Sequence, residues 1–429
     1  MTAVRKHTII GNSAAGLSAI KAIRSSGDTR PIVLISAERT NAYSPVLTTY
    51  YIGGQIPREG LFLVTDDFYR RHRVERVFGR TVLEVDPDRR RLFLSDRKRV
   101  DYEDLLLATG ASARTLEGVE PAARPRVFTL RTLEDAVRIK EACRAAREIV
   151  VTGAGLVSLQ TIKAVLGRGL GITNVVGSFQ VLSQQMDPDG ARFIQEKLEA
   201  EGVEILFGRE VERVAAEGDR VRVVTSYGES LPADLVIVGK GVRPNIDPVR
   251  GRSIRTNRGI LVDERMRTNV EDVYAAGDVA EGFNQLTGER EVIATWLNAC
   301  AQGEIAGLNM AGRPARRTGQ FRENVTTILG AVVASIGESR PEYGRYQEVF
   351  RIDHRRGRLR KLFFDGPYLV GALLIGWTSD AGVIRHCIAG RVDLSRWKDR
   401  IAVSPLEFGC ILYGQGLDWT GFPQQPHFG

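Results

Sequence analysis

Cysteine is scarce in this chain and spaced for no shared chemistry. Four residues, at positions 143, 300, 387 and 410, lie far apart, and there is no CxxC pair. Such spacing offers neither a readable disulfide framework nor a set of iron–sulfur ligands, and no metal site is assigned. It fits a reducing, cytoplasmic compartment. Long apolar runs are missing too. The longest, Tyr368 to Trp377, is far too short to cross a bilayer as a helix. Near the start, Arg5 and Lys6 precede an apolar run in the manner of a secretion signal, but Gly11-Asn12-Ser13 interrupts it, so strand and turn is the reading. No nucleic-acid-binding motif accompanies the net charge of +8, which makes nucleic acid a poor partner. The basic clusters are Arg70-Arg71-His72-Arg73, Arg89-Arg90-Arg91, Arg97-Lys98-Arg99 and Arg355 to Lys361. They either attract an acidic protein or are simply solvated.

What remains is an ordinary folded composition. With 429 residues, 43% hydrophobic and 26% charged, the chain has room for about two or three domains. Its organising stretch is Thr8 to Gly16, an apolar strand running into a glycine turn and then a helix over Leu17 to Arg24. A second strand, Pro31 to Ile35, ends at Glu38, with Arg39 beside it. This is the layout of a dinucleotide-binding βαβ unit. Gly11 permits the tight turn and Gly16 lets helix and strand approach. The backbone of Asn12, Ser13, Ala14 and Ala15 would face a pyrophosphate. Ser13 stands where a glycine is usual and can donate its hydroxyl. Glu38 can accept hydrogen bonds from ribose.

Further along, residues 74 to 94 alternate with a turn at Asp86-Pro87-Asp88 and predict a hairpin or meander. Tyr102 to Leu107 predicts a strand ending at Ala108-Thr109-Gly110. A helix is expected over Thr132 to Ala146. The opening pattern then recurs. Glu148 to Thr152 is a strand, Gly153-Ala154-Gly155-Leu156-Val157-Ser158 a glycine turn, and Leu159 to Leu166 a helix. Two such turns imply two nucleotides, or one cofactor and one co-substrate. Leu235 to Val238 leads into Gly241-Val242-Arg243-Pro244-Asn245, and Val273 to Ala276 ends at Gly277-Asp278 ahead of a helix over Thr295 to Met310. From about residue 319, strands at Gly330 to Ile336, Arg358 to Phe364 and Tyr368 to Ile375 predict an α+β domain, followed by a tail rich in Gly, Pro and Gln.

Gly11-x-Ser13-x-x-Gly16, Ala108-Thr109-Gly110, Gly153-x-Gly155, Gly241-x-x-Pro244-Asn245 and Ala276-Gly277-Asp278 occur in that order. In this the chain resembles the pyridine nucleotide-dependent FAD oxidoreductases, the flavoproteins with two dinucleotide-binding domains. Tyr43-Ser44-Pro45, Tyr50 to Gly54 and Gly259 to Met266 look like the rubredoxin-reductase and nitrite-reductase branch. Asp380 to Pro405 looks similar to the FAD subunit of phenylglyoxylate dehydrogenase.

The resemblance implies an α/β fold of two Rossmann-like domains with a C-terminal α+β domain. A FAD-binding domain would span 1–113 and 247–318, an NAD(P)-binding domain 114–246, and a C-terminal interface domain 319–429. FAD would lie on the Gly11–Gly16 turn, with Glu38 and Arg39 at the adenosine and the Val82 backbone meeting the adenine. Ala108, Thr109 and Gly110 would line the same site. Gly277 and Asp278 would hold the ribityl chain, beside a helix N-terminus that favours negative charge on the flavin. NAD(H) or NADP(H), as co-substrate, would lie on Gly153, Gly155, Leu156, Val157 and Gly241.

No cysteine stands near Val46, where one branch carries a reactive thiol, and Cys300 reads as a small buried hydrophobe. Electrons would therefore leave to an iron–sulfur carrier or partner redox subunits, with the chain an oligomer or complex subunit. Hydride transfer needs no acid–base side chain, so none is assigned as catalytic. The second site departs from the family pattern. Ser158 replaces a glycine and Gln160 a glutamate, and the strand ending at Val176-Gly177-Ser178 carries no acid and no arginine pair. NAD and NADP both stay open. The alternatives are an FAD-binding relay subunit with a degenerate NAD(P) site, or an NADH oxidase.

Overall fold

A computed structural model of the chain describes residues 6–317 and 319–405. The expected Gly/Pro/Gln-rich tail and Cys410 lie outside the described residues. Two compact units form from the described parts of Met1–Thr152, Gln160–Leu170 and Val211–Phe321, and of Gly153–Leu159, Gly171–Glu210 and Arg322–Gly429.

 The first unit is built on a five-stranded sheet in the order Val273–Ala275, Asp104–Leu107, His7–Ile10, Ile32–Ser36, Val74–Phe78, parallel throughout. The three central strands are buried along their whole length. This is why they read as continuous apolar runs rather than as alternation.

The edge strand Val74–Phe78 corrects the sequence reading. It pairs in parallel with Ile32–Ser36, and only Val82–Asp86, Arg91–Leu94 and Arg99–Asp101 make the antiparallel meander. A half-solvated edge strand alternates just as a hairpin strand does, so its pattern could not reveal its partner. Glu148–Thr152, Leu235–Val238 and Val127–Thr129 form further parallel pairs in this unit.

Two helices of the first unit meet almost backbone to backbone. The helix Ala14–Ser25 lies against Trp296–Met310. A Cβ on Gly303 would sit 2.1 Å from the Ala15 carbonyl oxygen, and one on Gly307 would sit 2.6 Å from that of Ala19. Glycine on one helix and alanine on the other therefore set how close the pair can come.

The second unit, whose pieces begin with Gly153–Leu159, holds the parallel pair Gly171–Val176 and Glu204–Phe207 and the helix Pro188–Ala200. It also holds a five-stranded antiparallel sheet, ordered Glu323–Ile328, Ala331–Gly337, Tyr368–Ile375, Arg358–Asp365, Gln347–Asp353. The helix Ala381–Ala389 packs on that sheet, giving the α+β character expected.

The basic run Arg355 to Lys361 is not one exposed face. Arg355 and Arg356 are exposed, while Arg360 and Lys361 are each only 4% exposed. Arg360 pairs with Asp380. The Lys361 ammonium donates to Asp187, to Asp189 at 2.7 Å and lies 3.0 Å from Glu348. Burial works against its charge, but the bonds to Asp187 and Asp189 outweigh it and hold the pKa above the ordinary lysine range. The stability this gives is fully present below the ordinary lysine pKa and is lost only as pH rises through the higher folded value.

Lys361→Met should therefore destabilise the protein by roughly 2–3 kcal/mol at neutral pH, because three carboxylates lose their shared cation while two of them keep water. A shift in the urea midpoint reads this, and an unchanged midpoint would refute it. Gly303→Ala forces the two helices apart and should cost about 1–3 kcal/mol; thermal unfolding of the variant beside the unmodified chain is the measurement.

Candidate dinucleotide sites

The first turn is closed by the sheet itself. Ala108 N–H donates to the Ile10 carbonyl at 2.8 Å, and Gly11 N–H donates to that of Ile35 at 2.9 Å. Gly11 has φ +120°, and a Cβ there would lie 2.0 Å from the Ala108 carbonyl oxygen. A Cβ on Gly16 would lie 2.0 Å from the Gly11 carbonyl oxygen. Neither position accepts a side chain. The helix begins at Ala14 rather than at Leu17, so Ala14, Ala15 and Gly16 form its first turn, whose amides have no acceptor within the helix. Ser13 is the N-cap residue, yet its side chain makes no cap hydrogen bond. Asn12 is fixed from two sides: its amide donates to the Thr40 carbonyl at 3.3 Å and accepts from the Tyr69 hydroxyl at 3.0 Å.

Glu38 follows the second strand and keeps solvent-exposed surface. The Tyr43 hydroxyl donates to it at 2.8 Å and accepts from the Leu133 N–H at 2.8 Å. Partial burial of the carboxyl raises its pKa, and the Tyr43 hydrogen bond opposes the rise. Burial, with the Glu38 charge beside it, pushes the Tyr43 phenol up as well. Arg39 is exposed and lies over Gly79, where a Cβ would meet its Cγ at 2.9 Å. Val82 is buried and pairs with Leu94.

Two motifs far apart in the chain form one crossing. Val242–Pro244 pairs antiparallel with Ala111–Ala113. The Thr109 hydroxyl donates to the Asn245 carbonyl at 2.9 Å, the Asn245 amide donates to the Thr109 carbonyl at 2.9 Å, and Asn245 N–H donates to that of Gly110 at 2.9 Å. Gly110 and Gly241 both adopt positive φ there.

Gly277 (φ +82°) faces Ala15 and Ala299, whose Cβ atoms would lie 3.3 and 3.6 Å from a Cβ placed on it. Its N–H donates to the buried Gln302 at 2.7 Å, and the Gln302 amide donates to Gln320 at 2.8 Å. Asp278 is held by Arg131 at 2.7 Å. Arg131 directly precedes the capping box in which Thr132 and Asp135 start the helix Leu133–Ala142. Cys300 is partly exposed and packs against the core of this unit.

The second turn shows the same local geometry. Gly153 has φ +89°, and its N–H donates to the Val175 carbonyl at 2.8 Å. The Asn174 amide donates to the Gly153 carbonyl at 2.9 Å, and Leu182 N–H to that of Ala154 at 2.9 Å. The helix starts at Leu156, not Leu159. Ser158 is fully buried and Val157 is exposed. A Cβ on Gly155 would meet nothing within 4 Å, so space is open above this turn.

Both turns fit a dinucleotide: backbone amides face outward where side chains are excluded at the first and absent at the second. The sequence reading missed Arg131, whose only signal was the capping pattern after it, and Gln302, which lies unmarked inside a helix. Among the described residues, no helix is long and apolar enough to cross a membrane.

Known proteins are similar to this chain in sequence and fold. The epsilon subunit of the NADH-dependent phenylglyoxylate dehydrogenase of Aromatoleum evansii is 34% identical over 96% of this chain and 97% of its own length. The rubredoxin-NAD(+) reductase of Pseudomonas putida is 29% identical over 71% of this chain and 79% of its own. The structure of a covalent putidaredoxin reductase–putidaredoxin complex superposes with a TM-score of 0.87 at 24% identity, over 96% of this chain and 99% of that one, a likeness of fold. The profile of the pyridine nucleotide-disulphide oxidoreductases matches residues 5–303, and the chain belongs to that family.

Proposed function

We propose that the chain is a cytoplasmic FAD-dependent oxidoreductase, or the flavin subunit of one. It passes a hydride between NAD(P)H and FAD and exchanges electrons with an external iron–sulfur protein or partner subunit. The observation that carries this reading is the pair of glycine turns, one closed to any side chain at Gly11 and Gly16, the other open above Gly155.

FAD would supply the hydride-transfer and single-electron chemistry when bound, and the protein would supply position and electrostatics. The first-turn amides of Ala14, Ala15 and Gly16 bind its pyrophosphate, and Glu38 accepts from the adenosine ribose. Asp278, steadied by Arg131, accepts from the ribityl hydroxyls, and the N-terminus of the helix Trp296–Met310 favours negative charge on the flavin. The turn from Gly153 to Val157 binds the nicotinamide nucleotide.

The lack of any CxxC, and Val46 in place of a thiol, support electron exit to a partner rather than through a disulfide. A relative spanning almost the whole chain is named as a subunit of an NADH-dependent dehydrogenase, which supports membership of a larger complex. The basic surface supports an acidic carrier less strongly than the net charge of +8 suggests. Arg70 and Arg71 pair with Asp67, Arg90 with Asp272 and Arg91 with Asp101.

Purified protein should carry FAD. Gly11→Val should abolish flavin binding, whereas Gly155→Val should fold, retain FAD and slow its anaerobic reduction by NADH; equal reduction rates would make the second turn structural and favour a relay role. Reduction of a ferredoxin-like acceptor should slow as salt shortens the Debye length from ~10 Å at 0.1 M to ~3 Å at 1 M, while reduction by NADH changes little. Slower acceptor reduction after reversing Arg355 and Arg356 to Glu would place docking on the second unit, an unchanged rate would point to another basic cluster, and salt-independent acceptor kinetics would remove the electrostatic argument.

A further inference from the structure

Dinucleotide folds read the adenosine ribose with an acid placed after the second strand of the unit. Here that strand is Gly171–Val176, and the residue after it is Gly177. The neighbouring strand, Glu204–Phe207, runs in parallel with Val176 opposite Phe207. Beyond it the chain turns back across the end of the first: Gly208 N–H donates to the Ser178 carbonyl and Arg209 N–H to that of Val176, both at 3.1 Å. This turn delivers the Glu210 carboxylate to Gly177. A Cβ built on Gly177 would lie 2.0 Å from Glu210 Oε1 and 2.8 Å from its Cδ. The carboxylate thus fills the space in which a side chain at position 177 would begin.

We infer that Glu210 is the acid that reads the adenosine ribose of the nicotinamide nucleotide, and that it selects NADH over NADPH. The inference rests on the reading of the Gly153–Val157 turn as the nucleotide site. The Gly153 N–H bond to Val175 and the Leu182 N–H bond to Ala154 tie this strand end to that turn. Gly177 and Glu210 are exposed, so a ligand can reach them. The Phe179 ring, 87% exposed, lies over Gly208, where a Cβ would meet its Cε1 at 2.9 Å. It offers an apolar face for the adenine.

A carboxylate accepts from both ribose hydroxyls of NADH and repels the 2′-phosphate of NADPH. Arg209, the adjacent cation, donates to the Phe207 carbonyl at 2.6 Å. The missing acid at position 177 is on this account a relocation of the acid to the turn after the next strand, not a loss of the site.

The test is anaerobic reduction of the flavin in the full-length protein, followed with NADH and with NADPH. The unmodified chain should prefer NADH. Glu210→Gln should raise the apparent Kd for NADH by about tenfold or more, as expected for losing hydrogen bonds to a charged acceptor, with the limiting rate nearly unchanged and NADPH improved. Adding Gly177→Asp to Glu210→Ala should restore the preference, a rescue that a merely structural Glu210 would not show. An unchanged NADH-to-NADPH ratio in Glu210→Gln at full FAD content would overturn the inference while leaving the proposed function intact, as would an unmodified chain that prefers NADPH. Flavin reduced by neither nucleotide would remove the inference together with the nucleotide site on which it rests.

Discussion

The first unit depends on backbone approaching backbone where no side chain can stand. The Gly11 position is occupied on its open side by the Ala108 carbonyl, Gly16 by the Gly11 carbonyl, and Gly303 by that of Ala15. These three contacts converge on one place, the start of the helix Ala14–Ser25. There they fix the strand end, the turn and the helix Trp296–Met310 against one another. Only with that convergence do the first-turn amides and Gly277-Asp278 face the same space. A single Cβ at any of these glycines must move a carbonyl, and with it a strand or a helix.

Hydrogen bonding completes what close packing begins. Gln302 reaches from inside its helix to hold the Gly277 amide, and Asn245 clamps Thr109 and Gly110 with three hydrogen bonds. In both cases a polar side chain or backbone group satisfies amides and carbonyls that irregular turns would otherwise leave buried and unpaired. Tyr43 does the same for Glu38, where it links the carboxylate to the first amide of the helix Leu133–Ala142. The charged groups follow a related logic. Arg131 serves Asp278, and Lys361 serves Asp187, Asp189 and Glu348, so several of the cations that make the sequence basic are committed within the fold.

What the sequence by itself determined was local. The buried parallel strands, the two glycine turns and the order of the motifs were legible, because each rests on apolar run length or on a backbone conformation that few residues besides glycine adopt. The α+β character of the C-terminal region was legible for the same reason. Tertiary structure alone decided the partner of Val74–Phe78, since a half-exposed edge strand carries no mark of what it pairs with. It also decided that Arg360 and Lys361 are buried while Arg355 and Arg356 are not, because their carboxylate partners come from distant parts of the chain. Position 177 makes the distinction plainest. The sequence could record that an acid was missing there; that a carboxylate from the turn after the next strand fills the space depends on a contact between distant segments, and local spacing holds no trace of it.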